Sequence, residues 1–244
     1  MGRKTERLTL DHLPLLPGGS GTCLAWELDP VRRRAARGHE AEEKAAWVTT
    51  VLREWGSCGR VVLVDGEVVG HVLWAPPAYV PGTAGFATAP VSSDAVVLTE
   101  LHVDPAHRGG GLGRMLVQGV AKDLVRGRLG SGGRSAVRAV ETFGDSSSHG
   151  GDRGADRGDG HDCLVPTAFW LAVGFSTQRA HALHPRMRMD LRTTLSLREE
   201  LEKGLERLLG PVGSQPQTAS RTTGSSHARA KAAMRARISR PRSH

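Results

Sequence analysis

The stretch Leu101–Gln118, LHVDPAHRGGGLGRMLVQ, gathers residues suited to holding an anion. Gly109, Gly110, Gly111 and Gly113 place four glycines in five positions, behind Arg108 and ahead of a helical apolar pattern. Glycine loses more conformational entropy on folding than any other residue, so bare backbone here implies a special conformation or a close approach. A strand ending at Val103, a tight turn at Asp104–Pro105 and glycines that open a helix together make an anion site. The first-turn N–H groups have no intrahelical partner, and the helix dipole adds positive potential. Arg108 can add a charged fork.

Three phosphate-binding loops compete for this pattern. A P-loop needs Gly-Lys-Ser/Thr, but Gly113 is followed by Arg114 and Met115. A dinucleotide fingerprint needs G-x-G-x-x-G, yet counting from Gly109 or Gly111 ends on Arg114 or Leu116. The third is Arg/Gln-x-x-Gly-x-Gly/Ala after a strand ending L-x-V-x-P. Leu101, Val103, Pro105, Arg108, Gly111 and Gly113 meet it in full. On these residues the chain resembles the GNAT acyltransferase superfamily. The later stretch FWLAVGF, Phe169–Phe175, is similar to that family's aromatic–Tyr–three residues–Gly-Phe segment.

The resemblance covers roughly Arg7 to Thr193. It implies a GNAT-like acyl-CoA N-acyltransferase fold: a mixed, mostly antiparallel sheet flanked by helices. It also implies acetyl-CoA as acyl donor and a pyrophosphate held by Arg108, Gly109, Gly110, Gly111, Leu112, Gly113 and Arg114; no metal is expected, since the spacing of His149, Asp152, Asp156, Asp159, His161, Asp162 and Cys163 fits neither an EF-hand nor a zinc pattern. The strand before the loop would splay from its neighbour. The pantetheine arm would then lie against Leu101, His102 and Val103 as an added strand. An amine would attack the thioester directly, which needs a base, an oxyanion donor and a way for the thiolate to leave.

Glu100 and His102 share one strand face and are the candidate bases, with His102 ranked second. Trp170 stands where the family commonly has the tyrosine that protonates the leaving thiolate. Indole donates a hydrogen bond but does not give up its proton at neutral pH. The acid is then Tyr79, the only tyrosine in the chain, or water, or none is needed. Trp26, Glu27, His71 and Trp74 are candidates to line the amine site, because aromatic faces and a carboxylate suit a cation. The resemblance leaves open whether the acceptor is a small molecule, a lysine side chain or a protein N-terminus. A catalytically degenerate, regulatory acyl-CoA-binding protein is the alternative.

The elements that must position these groups are legible from periodicity. Residues 6–13 suggest a strand. Glu40–Trp55 carries apolar residues at three- and four-residue spacing, an amphipathic helix. In RVVLVDGEVVGHVLW, Arg60–Trp74, two β-branched runs flank Asp65–Gly66, a hairpin signal. Strands are expected at Val96–Val103, Arg138–Phe143, from Phe175 onward and at Arg186–Leu191, with helices at Gly113–Val125 and Pro166–Val173. The order is one mixed α/β domain rather than a regular doubly wound alternation. Its expected span is 7–209, including a low-complexity loop at 144–162. Ser196 and Glu199 form a capping box for a last helix, which Gly210–Pro211 stops.

Composition adds limits. The 244 residues are 39% hydrophobic, enough for a sizeable core. No apolar run approaches the ~18 residues that span a bilayer, and MGRKTERLTL lacks a signal-like apolar segment, so a cytoplasmic protein is expected. The net charge of +8 is concentrated in residues 210–244, whose seven basic side chains face no acid; without them it falls to +1. Any nucleic-acid contact through that tail is expected to be weak and salt-sensitive, since it has no aromatic residue for base stacking. Cys23, Cys58 and Cys163 are few, odd in number and distant in sequence, which suits buried thiols better than a disulfide framework.

Overall fold

The structure is a computed structural model that describes residues 2–126, 137–147 and 163–191. The chain divides into two units, Met1–Lys203 and Gly204–His244, and every described residue belongs to the first. The expected low-complexity loop from residue 148 onward, the helix after Ser196 and the basic tail lie outside the described residues.

The architecture grows from the hairpin. Strands β2 (Gly59–Val64) and β3 (Glu67–Ala75) meet at Asp65 and Gly66, with φ of 49° and 94°. A two-residue turn with positive φ at both positions matches the right-handed twist of the strands it joins. β1 (Arg3–Arg7) adds to β2 antiparallel, with Arg3 opposite Val64 and Arg7 opposite Arg60. This corrects the strand expected at 6–13: from Leu10 to Leu15 the chain forms a 3-10 turn instead. Thr9 N–H donates to His12 Nδ1 at 3.1 Å, and Pro14 has no N–H to give a ladder. The true strand, RKTER, is polar on both faces and so carries no alternation to detect.

β4 (Ala95–Val103) pairs antiparallel with β3, and β5 (Ala139–Asp145) pairs antiparallel with β8 (Arg186–Asp190). β7 (Ser176–Arg179) pairs with β8 at the far edge. The sheet order is β1-β2-β3-β4-β5-β8-β7, with a two-residue β6 (Val165–Pro166) beside β5. Only the β4–β5 and β5–β6 pairings are parallel among the described strands. This is the expected mixed, mostly antiparallel sheet.

Four α-helices are described. α1 (Pro30–Ala35) is short and was not anticipated, although Asp29–Pro30 is a helix start: Asp29 Oδ1 accepts from the amides of Val31 at 2.9 Å and Arg32 at 3.0 Å. α2 (Glu40–Trp55) buries Lys44, Val48, Val51 and Trp55 along one stripe. α3 (Leu112–Arg126) packs on β2, β3 and β4, with Leu116, Val117, Val120 and Leu124 in the core. Arg60 of β2 grips Asp123 of α3 through two bonds, at 2.6 and 2.9 Å. α4 (Thr167–Ala172) leads into β7.

Candidate functional site

The glycine loop is built by local bonds. After β4, the Asp104 amide donates to Val69 O at 2.8 Å, and its side chain accepts from the Ala106 amide at 2.9 Å. Arg108 Nε donates to Val103 O at 2.9 Å, folding its guanidinium back over the strand end. Arg3 Nη1 donates to Gly110 O at 2.9 Å from the sheet edge. Gly109 and Gly111 both take φ of +80°, the left-handed region that favours glycine. A Cβ at Gly113 would lie 3.1 Å from the Phe169 ring, so the fourth glycine lets α3 seat against α4. Arg114 Nη2 holds Ala172 O at 2.9 Å across the same junction. The first α3 bond runs from Met115 N–H to Gly111 O at 3.0 Å. The amides of Leu112, Gly113 and Arg114 therefore precede the helical ladder, as an anion site requires.

This loop ends a cleft of about 1190 Å³. The cleft exists because β4 and β5 pair only from Ala95 opposite Ala139 to Val97 opposite Glu141. Beyond Val97 the two strands part, and that edge of β4 has no strand partner among the described residues. Of the ten positions expected to contact the cofactor, nine line the cleft: Leu101, His102, Val103, Arg108, Gly109, Gly111, Leu112, Gly113 and Arg114. Gly110 does not, and its carbonyl is taken by Arg3.

Glu100 also lines the cleft, though its side chain is only 4% exposed. It belongs to a buried cluster that sequence reasoning missed. Lys44 Nζ donates to Glu27 Oε1 at 2.6 Å, to Cys23 O at 2.9 Å and to Glu100 Oε2 at 3.5 Å. Burial works against the ammonium, but the two carboxylates outweigh it and hold Lys44 charged, above the ordinary lysine range. Burial pushes the Glu27 carboxyl up; Lys44 pulls it down and Glu100 adds to the rise. The signal was present: Lys44 lies on the apolar stripe of α2, one turn before Val48.

None of the four residues expected to line an amine site lies on the wall of this cleft. Trp26, Glu27, His71 and Trp74 are buried and do not reach the cleft wall. Trp26 stacks on Phe86 with centroids 5.4 Å apart. Trp74 is enclosed in the core. Large apolar rings gain more by burial than by waiting at a surface. Tyr79 is also absent from the cleft wall: its hydroxyl donates to Glu54 Oε2 at 2.7 Å. Trp170 turns inward against Phe169 and Phe175, while its neighbour Phe169 faces the cleft.

His71 carries a consequence for stability. It lies fully buried on β3, stacked on His102 across the strand pair at 5.9 Å, and neither ring nitrogen has a hydrogen-bond partner among the described residues. Burial, with His102 and Lys44 nearby, pulls its pKa down to about 3. The folded chain keeps it neutral where the unfolded chain, with a pKa of 6.5, already takes up a proton. Its contribution is thus whole above pH 6.5 and is lost as pH falls toward 3. Between pH 7.5 and 5.0 this amounts to about 2 kcal/mol. Urea unfolding of His71→Leu should show a correspondingly flatter pH dependence than wild type; parallel curves would refute the assignment.

Comparison with known proteins places the central part of the chain. Residues 24–140 match the model described as the Acetyltransferase (GNAT) family, which bears out the resemblance read from the glycine loop. No curated protein matches the chain in sequence. Solved structures of similar form include PaiA N-acetyltransferase from Thermoplasma acidophilum in complex with coenzyme A, at 11% identity, covering 78% of this chain and 99% of that one with a TM-score of 0.46. Another is the aminoglycoside acetyltransferase AAC(6')-Ib in complex with coenzyme A, at 14% identity, 81% and 99% coverage and a TM-score of 0.49. A third is the loading GNATL domain of CurA from Lyngbya majuscula, at 12% identity, 79% and 100% coverage and a TM-score of 0.49.

Proposed function

We propose that this chain, which matches the GNAT acetyltransferase family over residues 24–140, transfers an acetyl group from acetyl-CoA to a primary amine by direct attack in a ternary complex. The observation that carries this reading is the placement of the glycine loop. It caps α3 at one end of a cleft that runs along the unpaired edge of β4. A pyrophosphate on the loop and an extended amide arm along β4 would use both features at once. The function is assigned to residues 7–209, with 210–244 as a basic tail.

Glu100 is the proposed base, because it is the carboxylate at the splayed part of β4. It would take the proton as nitrogen bonds to the thioester carbon. The thiolate of CoA then departs as the C–S bond breaks. A thiol has a pKa of about 8.5, so it can leave as the anion and take a proton from water. The acceptor is a small amine, a lysine side chain or a protein N-terminus.

The direct test is release of CoA thiol from acetyl-CoA in the presence of mixed amines. Glu100→Gln should lower kcat roughly 100-fold while leaving the thermal shift with acetyl-CoA in place. An unchanged kcat would remove Glu100 from the chemistry. Two observations favour a second reading, a degenerate acyl-CoA-binding protein. Trp170 is buried where an acid would stand, and Tyr79 is outside the cleft. Binding of acetyl-CoA with no CoA release for any amine would select it.

A further inference from the structure

Behind the cleft wall at Glu100 stands a charged pair that the transfer chemistry does not itself touch. Lys44 comes from α2, Glu27 from the segment before α1 and Glu100 from β4. The Lys44 and Glu27 side chains are wholly buried and absent from the cleft wall, whereas Glu100 reaches it. Lys44 Nζ lies 2.6 Å from Glu27 Oε1 and 3.5 Å from Glu100 Oε2, with Cys23 O at 2.9 Å. An ammonium has three donors, and these three oxygens take them all. The bond to Glu27 has charge-assisted length, and the one to Glu100 is long for an N–H···O bond. Glu27 therefore answers most of the ammonium's charge, and Glu100 receives the remainder. For a buried carboxylate that must accept a proton, both extremes fail. An undivided ammonium in contact would hold the charged form too firmly, and no cation at all would leave the carboxyl protonated beforehand. Around the cluster stand Cys23 and Cys163 on the cleft wall, His102 on the same face of β4 as Glu100, and His71 opposite His102 on β3. Burial keeps His71 neutral at neutral pH, and it pushes the Cys58 thiol near the pair up to about 12.

We propose that Lys44 and Glu27 are positioning residues for the base: Lys44 orients and steadies the Glu100 carboxylate, and Glu27 takes up enough of the ammonium's charge for Glu100 to accept a proton from the attacking amine. This rests on the reading of Glu100 as the base. As nitrogen bonds to the thioester carbon, its proton passes to Glu100 and from there to solvent in the cleft. Lys44 keeps its proton throughout, and neither Lys44 nor Glu27 touches the substrate. The three side chains act as one unit because a single ammonium serves both carboxylates.

The test uses the full chain and reads the rate of CoA release against pH, with saturating acetyl-CoA and one fixed amine mixture. Titration of the amines is common to every variant, so differences between variants belong to the protein. Glu27→Gln keeps the shape of the side chain and still accepts from Lys44. With the charge of Glu27 gone, the acid limb should move to lower pH by about one pH unit, and the plateau rate should fall about 3-fold because the base is weaker. Lys44→Met should move the acid limb the other way, to higher pH. Loss of stability alone would lower the rate without opposite shifts, and Glu27→Gln carries the test by itself, whatever the stability of Lys44→Met. Carbon-13 NMR of the Glu100 carboxyl, assigned by its loss in Glu100→Gln, should titrate with the same two displacements when no amine is present. If the acid limb and the carboxyl signal of Glu27→Gln both titrate as in wild type, the proposal falls and Glu100 stands as the base. A wild-type rate in Glu100→Gln would remove the base and the proposal together.

Discussion

The wild-type chain is expected to melt roughly 5–10 °C higher in acetyl-CoA at about a hundred times its dissociation constant, and Gly111→Glu to show no such rise. Binding at that excess stabilises the folded state by about 2.7 kcal/mol. Each kcal/mol moves the midpoint of a domain of this size by about 2–4 °C. The substitution acts where the argument for the cofactor rests. Gly111 lines the cleft, and a Cβ built on it meets nothing within 4 Å, so the new side chain enters open space without a clash. Its carboxylate would occupy the ground assigned to the pyrophosphate, at the positive end of α3. The φ of +80° adds a separate cost of about 1–2 kcal/mol from the left-handed conformation. That cost lowers the midpoint of the free variant, whereas the lost anion site appears only in the missing ligand shift. One melting series therefore separates the two effects. If acetyl-CoA, CoA and longer acyl-CoAs all fail to move wild type, the glycines are a turn and nothing more, and the transferase reading falls with them.

The glycine loop could be read from sequence because its parts are contiguous. Strand end, turn, bare backbone and helix start occupy one stretch, and each has a local signature. The hairpin was legible for the same reason: Asp65 and Gly66 alone set it. Residues brought together from afar were not. Lys44, Glu27 and Glu100 come from a helix, a turn segment and a strand, and only the closed fold shows that one ammonium serves two carboxylates. The burial of the amine-site candidates, off the cleft wall, was not legible for another reason. Trp26, Trp74 and His71 have side chains that suit either a pocket or a core, and residue type alone does not choose. For His71 and Trp74 on β3, strand alternation bears on which face each takes, but not on whether that face is covered.

Lys44→Met is expected to lower the free energy of unfolding by about 3–5 kcal/mol at pH 7, the cost of breaking a buried ion pair by removing one partner. Methionine is close to lysine in length and apolar, so packing along the α2 stripe beside Val48 and Val51 is largely kept. The loss is the counter-charge. Glu27 and Glu100 are 0% and 4% exposed at the side chain, and Glu27 Oε2 already has no partner among the described residues. Without the ammonium, the buried Glu27 carboxyl keeps both influences that raise it, burial and the nearby Glu100, and loses the one that lowers it. The pH dependence follows from the sign of that shift. Burial already raises Glu27 in the wild-type chain, and loss of Lys44, which pulls it down, raises it further. A carboxyl whose folded pKa lies above its unfolded value, about 4.3, destabilises the fold increasingly as pH rises from there to the folded pKa. The deficit of Lys44→Met relative to wild type should therefore be smaller at pH 5 than at pH 7. Adding Glu27→Gln removes one of the two stranded charges, so the double variant should recover part of the loss at pH 7 and show a weaker pH dependence. Urea unfolding of the three proteins at both pH values checks each step. A pH-independent deficit would mean that Lys44 is held for its aliphatic stem and not for its charge. A deficit below about 1 kcal/mol would put the pair in the range of surface ion pairs, against its burial.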